Sequence, residues 1–97
     1  MVQGLSSVMY RRGRALEYAV KRHLEEQGYF VVRSAGSRGP ADLVALKNGE
    51  ILLIQCKKDG RLSKDEAYEL LEAARVAGGK AVLAYPDGRR LILKEIV

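Results

Sequence analysis

One cysteine and one histidine in 97 residues remove several chemistries at once. A lone cysteine forms no internal disulfide, so a reducing, cytosolic setting is expected. His23 stands among Lys21, Arg22 and Glu25 with no Cys or His beside it, which favours a solvated side chain over a metal ligand or a base. Long apolar runs are also missing. The stretch Ile51–Ile54 is among the longest, far short of the roughly 20 residues a membrane helix needs. The opening "MVQGLSSVMY" has no charged segment followed by an apolar one, so no secretory signal is read there. Repeats, low-complexity tracts and linkers are absent, and the length suits a single domain, 1–97, with one modest core.

What is present is an ordinary globular balance of 47% apolar and 30% charged residues. Seventeen Lys and Arg against twelve Asp and Glu leave a net charge of +5. Seven of the basic residues and three of the acidic ones fall at or before Pro40, so the cationic excess is concentrated in the N-terminal portion. That favours an anionic partner, nucleic acid or an acidic membrane surface, although plain solubility accounts for the charge equally well.

Ser6 or Ser7 can cap a first helix that runs to about Gln27 and stops at Gly28. Leu16, Val20 and Leu24 recur every four residues as its buried stripe. Residues 29–33, "YFVVR", have the aromatic and β-branched content of a strand, and "SAGSRGP" reads as a loop. Residues 41–47 and 50–57 are two apolar runs joined by Asn48-Gly49, the pair that a two-residue hairpin turn favours. The register follows: Lys47 faces Glu50, Val44 faces Leu53, and Asp42 faces Gln55. Both faces of this hairpin are apolar, so both should be covered. "LSKDE" at 62–66 is a capping box with Ser63 as N-cap and Glu66 reaching back, opening a helix to about Ala77 that ends at Gly78-Gly79. Two further strands, 80–85 and 90–97, are separated by Pro86-Asp87-Gly88, and the unit from Ile51 to Tyr85 is expected to be a right-handed parallel crossover. The fold class is therefore α/β, a mixed sheet of about five strands with two helices in α-β-β-β-α-β-β order.

The register also gathers polar groups. Asp42 and Gln55 meet at the open end of the hairpin, and Lys57 shares their face. Acceptors beside an ammonium suit a hard divalent cation and a phosphate, while an Asp42–Lys57 salt bridge is the plainer alternative. Glu17 borders the buried stripe of the first helix, and Gly13, one turn earlier, leaves room for a backbone or ligand. A carboxylate at that border needs a partner, either a shared metal or a salt bridge to Arg33 or Lys57. Cys56 points to the opposite, apolar face as a structural thiol. Gly36 and Gly39 precede no helix and form no phosphate-binding fingerprint.

The order "RGRALE", "RSAGSRGPAD", "IQCK", with a helix before and after the hairpin, resembles the PD-(D/E)XK nuclease superfamily, and within it the archaeal-type Holliday junction resolvases. The resemblance covers about Arg11 to Tyr85. It implies a restriction-endonuclease-like domain and a dimeric, Mg²⁺-dependent endonuclease, with Mn²⁺ as a substitute metal. Such an enzyme cuts four-way DNA junctions in recombination and repair and leaves 5′-phosphate and 3′-hydroxyl ends. By position, Glu17 and Asp42 would be metal ligands, joined by Gln55 and the backbone carbonyl of Cys56. Lys57 would act on the attacking water, and Ser37 would lie near the scissile phosphate. Arg11, Arg12, Arg14, Arg33, Arg38 and Lys58 would hold DNA phosphates. Gln55 departs from the family's usual carboxylate, and an amide offers one neutral oxygen in place of two anionic ones. A DNA-binding module with impaired catalysis, or a nuclease acting on other branched or nicked DNA, therefore stands beside the resolvase reading. The expected setting is the cytoplasm of a microbial or virus-infected cell, and Val76, on the outer side of the second helix, is a candidate dimer contact.

Overall fold

The computed structural model describes residues 4–34 and 39–97, with side chains from residue 14 onward. Its elements are α1 (Gly4–Glu26), β1 (Phe30–Arg33), β2 (Leu43–Lys47), β3 (Glu50–Cys56), α2 (Lys64–Ala77), β4 (Lys80–Asp87) and β5 (Arg90–Ile96). The sheet order is β1-β2-β3-β4-β5, antiparallel throughout except for the parallel β3–β4 pair that α2 bridges. This is the expected α-β-β-β-α-β-β order.

The hairpin turn sets the rest. Asn48 and Gly49 both hold positive φ, at 50° and 83°, and Lys47 pairs with Glu50, Ala45 with Leu52 and Leu43 with Ile54. Because side chains alternate across a strand, one set of residues goes to each face. Leu43, Ala45, Leu52 and Ile54 join Val20 and Leu24 of α1, with Val31, Val82 and Ala84, in one core. Leu53 joins Ala41, Ala81 and Leu70 and Ala74 of α2 in the other. A sheet with two apolar faces thus takes one helix on each. Fully burying a side chain such as Leu24, Leu70 or Ile54 contributes about 1.5–3 kcal/mol.

Two local expectations are corrected. Helix α1 begins at Gly4, so Ser6 and Ser7 lie inside its first turn instead of capping it; a serine is only one of several residues at which a helix can start, and end positions are weakly specified by propensity. The β4–β5 turn is Gly88-Arg89, not Pro86-Asp87-Gly88, because Pro86 pairs with Leu91 and Asp87 with Arg90. Proline is accommodated there because the β3–β4 ladder has already ended at Cys56 and Ala84, so no neighbouring strand asks for its missing N–H.

Helix α2 starts as its sequence requires. Ser63 Oγ accepts from the Glu66 N–H at 3.1 Å, and Glu66 Oε1 accepts from the Ser63 N–H at 3.0 Å. It ends at Gly78, in the left-handed region at φ 72°. The next glycine has a different reason to be glycine. A Cβ at Gly79 would lie 2.5 Å from the Ile51 carbonyl oxygen and 2.9 Å from its side chain, whereas one at Gly78 would meet nothing within 4 Å.

The two positions should therefore respond unequally to substitution. Gly79→Ala is expected to destabilise the fold by about 2 kcal/mol or more through overpacking. Gly78→Asn keeps a residue that tolerates the left-handed region and should cost less than about 1 kcal/mol. Urea unfolding midpoints of the two variants check the order.

Candidate functional site

The β2 ladder closes at Leu43, and just beyond it the chain departs from the simple register. The Asp42 N–H donates to the Ile54 carbonyl at 2.8 Å, and Leu43 is itself paired with Ile54, so two residues of one chain address a single residue of the other, as in a β-bulge. The expected Asp42–Gln55 pair is thus replaced by a tighter arrangement. Asp42 Oδ2 accepts from the Cys56 N–H at 2.9 Å, and the Asp42 carbonyl accepts from the Ser34 N–H at 2.8 Å. Three hydrogen bonds hold this residue between the ends of β1, β2 and β3.

Asp42 is only 6% exposed. Among the described residues no lysine or arginine forms an ion pair with it. A buried carboxylate with a backbone N–H and no cation is an incomplete electrostatic arrangement.

The neighbouring charges are engaged elsewhere. Glu17 Oε1 accepts from Arg33 Nε at 2.8 Å, with the glutamate side chain 16% exposed, so the Arg33 salt bridge foreseen as one alternative is present. The same guanidinium lies 5.0 Å from the centre of the Tyr18 ring. Lys57 does not reach Asp42; its Nζ donates to Glu66 Oε2 at 2.5 Å. That bond to Lys57, followed by the backbone bond from Ser63, holds the Glu66 carboxyl below its ordinary value.

Glu66 is the member of the site that the sequence reading missed. The capping box did identify the residue, but one carboxylate oxygen accounts for that motif, and only the fold shows the other holding the lysine at the end of β3.

Cys56 packs against the core on the α1 side, as expected. Burial pushes its thiol up to about 12, and the negative charges of Asp42 and then Glu17 push the same way. Both carboxylates therefore lie within electrostatic reach of one sulfur, which brings the α1 residue and the β2 residue to the same strand end. The thiol itself is protonated and is neither a nucleophile nor a soft metal ligand at neutral pH. Gln55 is half-buried and shares its strand face with Leu53, which packs beneath α2. Glu50 takes no part: it accepts from Tyr29 at 2.8 Å and lies 3.5 Å from Lys80, at the turn end of the hairpin.

No group of three His, Cys, Asp or Glu side chains among the described residues is placed to hold a metal ion. The available oxygen donors are two carboxylates, the Gln55 amide and the Cys56 carbonyl. They are hard donors, and the uncompensated charge of Asp42 fits a hard divalent cation. Arg14 and Lys58 are exposed. Ser37 and Arg38, and the side chains of Arg11 and Arg12, lie outside the described residues.

Known proteins resemble this chain in sequence and in fold. The family model described as archaeal Holliday junction resolvase (hjc) matches residues 8–95. A crossover junction endodeoxyribonuclease Hjc of Methanocaldococcus jannaschii is 39% identical over 79 residues, covering 77% of this chain and 59% of that protein. The protein of the same name from Sulfurisphaera tokodaii is 32% identical over 82 residues, covering 74% of this chain and 57% of that protein. The chain thus spans less than two thirds of the length of these relatives. The structure of Archaeoglobus fulgidus Hjc, a Holliday junction resolvase, superimposes with a TM-score of 0.76 at 27% identity, over 87% of this chain and 72% of that one. The chain, with two helices enclosing a five-stranded mixed sheet, belongs to the archaeal Holliday junction resolvase family.

Proposed function

We propose that the chain is a structure-specific endonuclease that resolves four-way DNA junctions by metal-dependent hydrolysis, acting as a homodimer that makes paired nicks. The observation that carries this reading is Asp42, a carboxylate held by three backbone hydrogen bonds, buried, and without a cation among the described residues. Its relatives' names point the same way.

Glu17, Asp42, Gln55 and the Cys56 carbonyl would hold the metal, Mg²⁺ or Mn²⁺ in its place. When bound, the cation supplies charge neutralisation at the scissile phosphate. Lys57 orients the attacking water and offsets the charge that gathers on the phosphorane-like transition state. Water adds to phosphorus, the P–O3′ bond breaks, and the products are a 5′-phosphate and a 3′-hydroxyl. Glu66 keeps the flexible lysine in one direction, so that less conformational freedom is lost when DNA arrives. Arg33, steadied by Glu17, would meet a phosphate, and Arg11, Arg12, Arg14, Arg38, Lys58 and Ser37 would complete the contacts expected from the resemblance. Such contacts read backbone shape and not base sequence.

Paired cuts on opposing strands suit a twofold dimer. An apolar strip supports one. Val31 is buried on the α1 side, so Phe30 and Val32 face the other way, where α2 packs on β3 and β4 and leaves β1 bare. Phe30 is 68% exposed and Val32 48%, and Leu46, paired with Phe30, is exposed beside them. Tyr68 and Val76 of α2 are exposed as well.

A synthetic four-way junction, a linear duplex and a single strand, each incubated with Mg²⁺, Mn²⁺ or EDTA, test the reading. Symmetric, metal-dependent nicks confined to the junction are expected. Asp42→Ala and Lys57→Ala should each lower the rate roughly 100-fold or more. Junction binding without nicks would instead support a binding module, and nicks on other substrates a nuclease of different preference. Wild-type cutting by Asp42→Ala would remove this site.

Gln55→Glu adds a second anionic oxygen, so the fold should persist while the Mg²⁺ concentration for half-maximal cutting falls. An unchanged requirement places residue 55 outside the coordination shell.

The Lys57–Glu66 pair has an acid limit. A carboxyl whose folded value lies below its ordinary 4.5 adds stability above that value and loses it as pH falls through the folded one. The stability gap between wild type and Glu66→Gln should therefore be widest at neutral pH and shrink progressively below 4.5, as read by urea midpoints across that range.

A further inference from the structure

A second basic surface lies away from Asp42 and Lys57. Between α1 and the β4–β5 turn the structure forms an open cleft of about 370 Å³, with Arg22, His23 and Glu26 on the helix side and Arg89 and Arg90 on the turn side, over a floor that includes Leu91. The side chains of Arg22, Arg89 and Arg90 make no hydrogen bond or ion pair among the described residues, in contrast to Lys21, Arg33, Arg75 and Lys57, which each hold a carboxylate. Glu26 lowers the charge of the cleft without cancelling three guanidiniums. Three like charges against one carboxylate leave a local positive potential, and a concave surface focuses it.

We infer that this cleft binds the phosphate backbone of a DNA arm, outside the catalytic centre. Three features select that occupant. Its charge is positive, and the guanidinium fork matches phosphate oxygens. The cleft is open to solvent, which suits a phosphate backbone lying across it more than an enclosed small molecule. Its position is continuous with the proposed site: β4 runs parallel to β3, so the β4–β5 turn leaves the sheet from the same end as Lys57. Helix α1 carries Glu17 toward β1 and Arg22 toward this cleft, five residues apart, which is about 7.5 Å along the axis. A duplex whose scissile phosphate lies at Lys57 can extend an arm past the Gly88-Arg89 turn. The inference rests on the nuclease reading for its choice of DNA.

The test compares Arg22→Ala/Arg89→Ala with Lys64→Ala/Lys94→Ala, which removes the same charge from the α2 side of the molecule. Binding of a four-way junction and of a linear duplex is measured in EDTA over a series of salt concentrations, and cutting is measured separately in Mg²⁺ with protein in excess. The cleft variant should bind at least tenfold more weakly at moderate salt, with a log–log salt slope shallower by about one to two, one unit for each lost phosphate contact. The control variant should keep nearly the wild-type slope, and cutting of fully bound junction by the cleft variant should keep its rate. Arg22→Lys/Arg89→Lys should restore most of the slope and less of the affinity. Equal losses in the cleft and control variants, an unchanged slope, or no DNA binding by the wild type would each overturn the inference. A wild type that binds DNA through this cleft but never cuts a junction would leave the cleft standing and remove the nuclease reading. Circular dichroism and urea midpoints of both double variants exclude misfolding as the cause.

Discussion

Two consecutive residues with positive φ, Asn48 at 50° and Gly49 at 83°, constrain more of this molecule than any core contact. A two-residue turn allows one register, and a slip of a single residue would exchange the two faces of the hairpin. Here both faces are apolar, so a slip would not expose a polar face to the core. It would instead bring the wrong shapes together: the α1 side takes Leu43, Ala45, Leu52 and Ile54 beneath Val20 and Leu24, and the α2 side takes Leu53 beneath Leu70 and Ala74. At the far end the ladder set by this register closes at Leu43, and the bulge just beyond it brings Asp42 to the Cys56 N–H. Turn chemistry at one end of a hairpin thus specifies the chemistry at the other.

The charges around that far end are arranged unequally, and the inequality has functional weight. Glu17 has Arg33 and Lys57 has Glu66, while the Asp42 carboxylate, among the described residues, has a backbone N–H. Removing one partner of a half-buried pair leaves a charge unsatisfied, so Arg33 and Glu66 steady the fold. Asp42 is different because its complement is absent from the described side chains. A site in which every charge is internally matched has no electrostatic reason to recruit an ion; this one leaves the mismatch on its most rigidly held carboxylate.

Much of this was legible in the sequence, and the parts that were not share a cause. The hairpin, the capping box, the parallel crossover and the burial of Cys56 each follow from local patterns in which turn residues, caps and alternation agree. Asp42 and Lys57 stand out as polar residues at the ends of apolar runs, and Glu17 as a carboxylate bordering the buried stripe of a helix. The start of α1 and the place of Pro86 were misread, since a serine or proline signal acts only where the surrounding chain lets it act. Pro86 sits in a strand because β3 has already ended beside it. The second bond of Glu66 and the departure of Asp42 from the ladder were illegible for another reason: both join residues from separate elements, and neither spacing nor propensity encodes which of two carboxylates a lysine will meet.

Gln55 then acquires a physical rationale that its chemistry alone does not give. Asp42 and Glu17 already place two negative charges about the Cys56 thiol, and both raise it. A third carboxylate at position 55 would stand in a half-buried strand end whose nearest lysine is committed to Glu66. In the absence of a cation, like charges in such a place repel one another and disfavour ionisation. An amide avoids that repulsion while keeping an oxygen donor at the same position. The residue that weakens attraction for a metal therefore also eases the folding of the metal-free chain, and the two effects have opposite signs because they arise from the same missing charge.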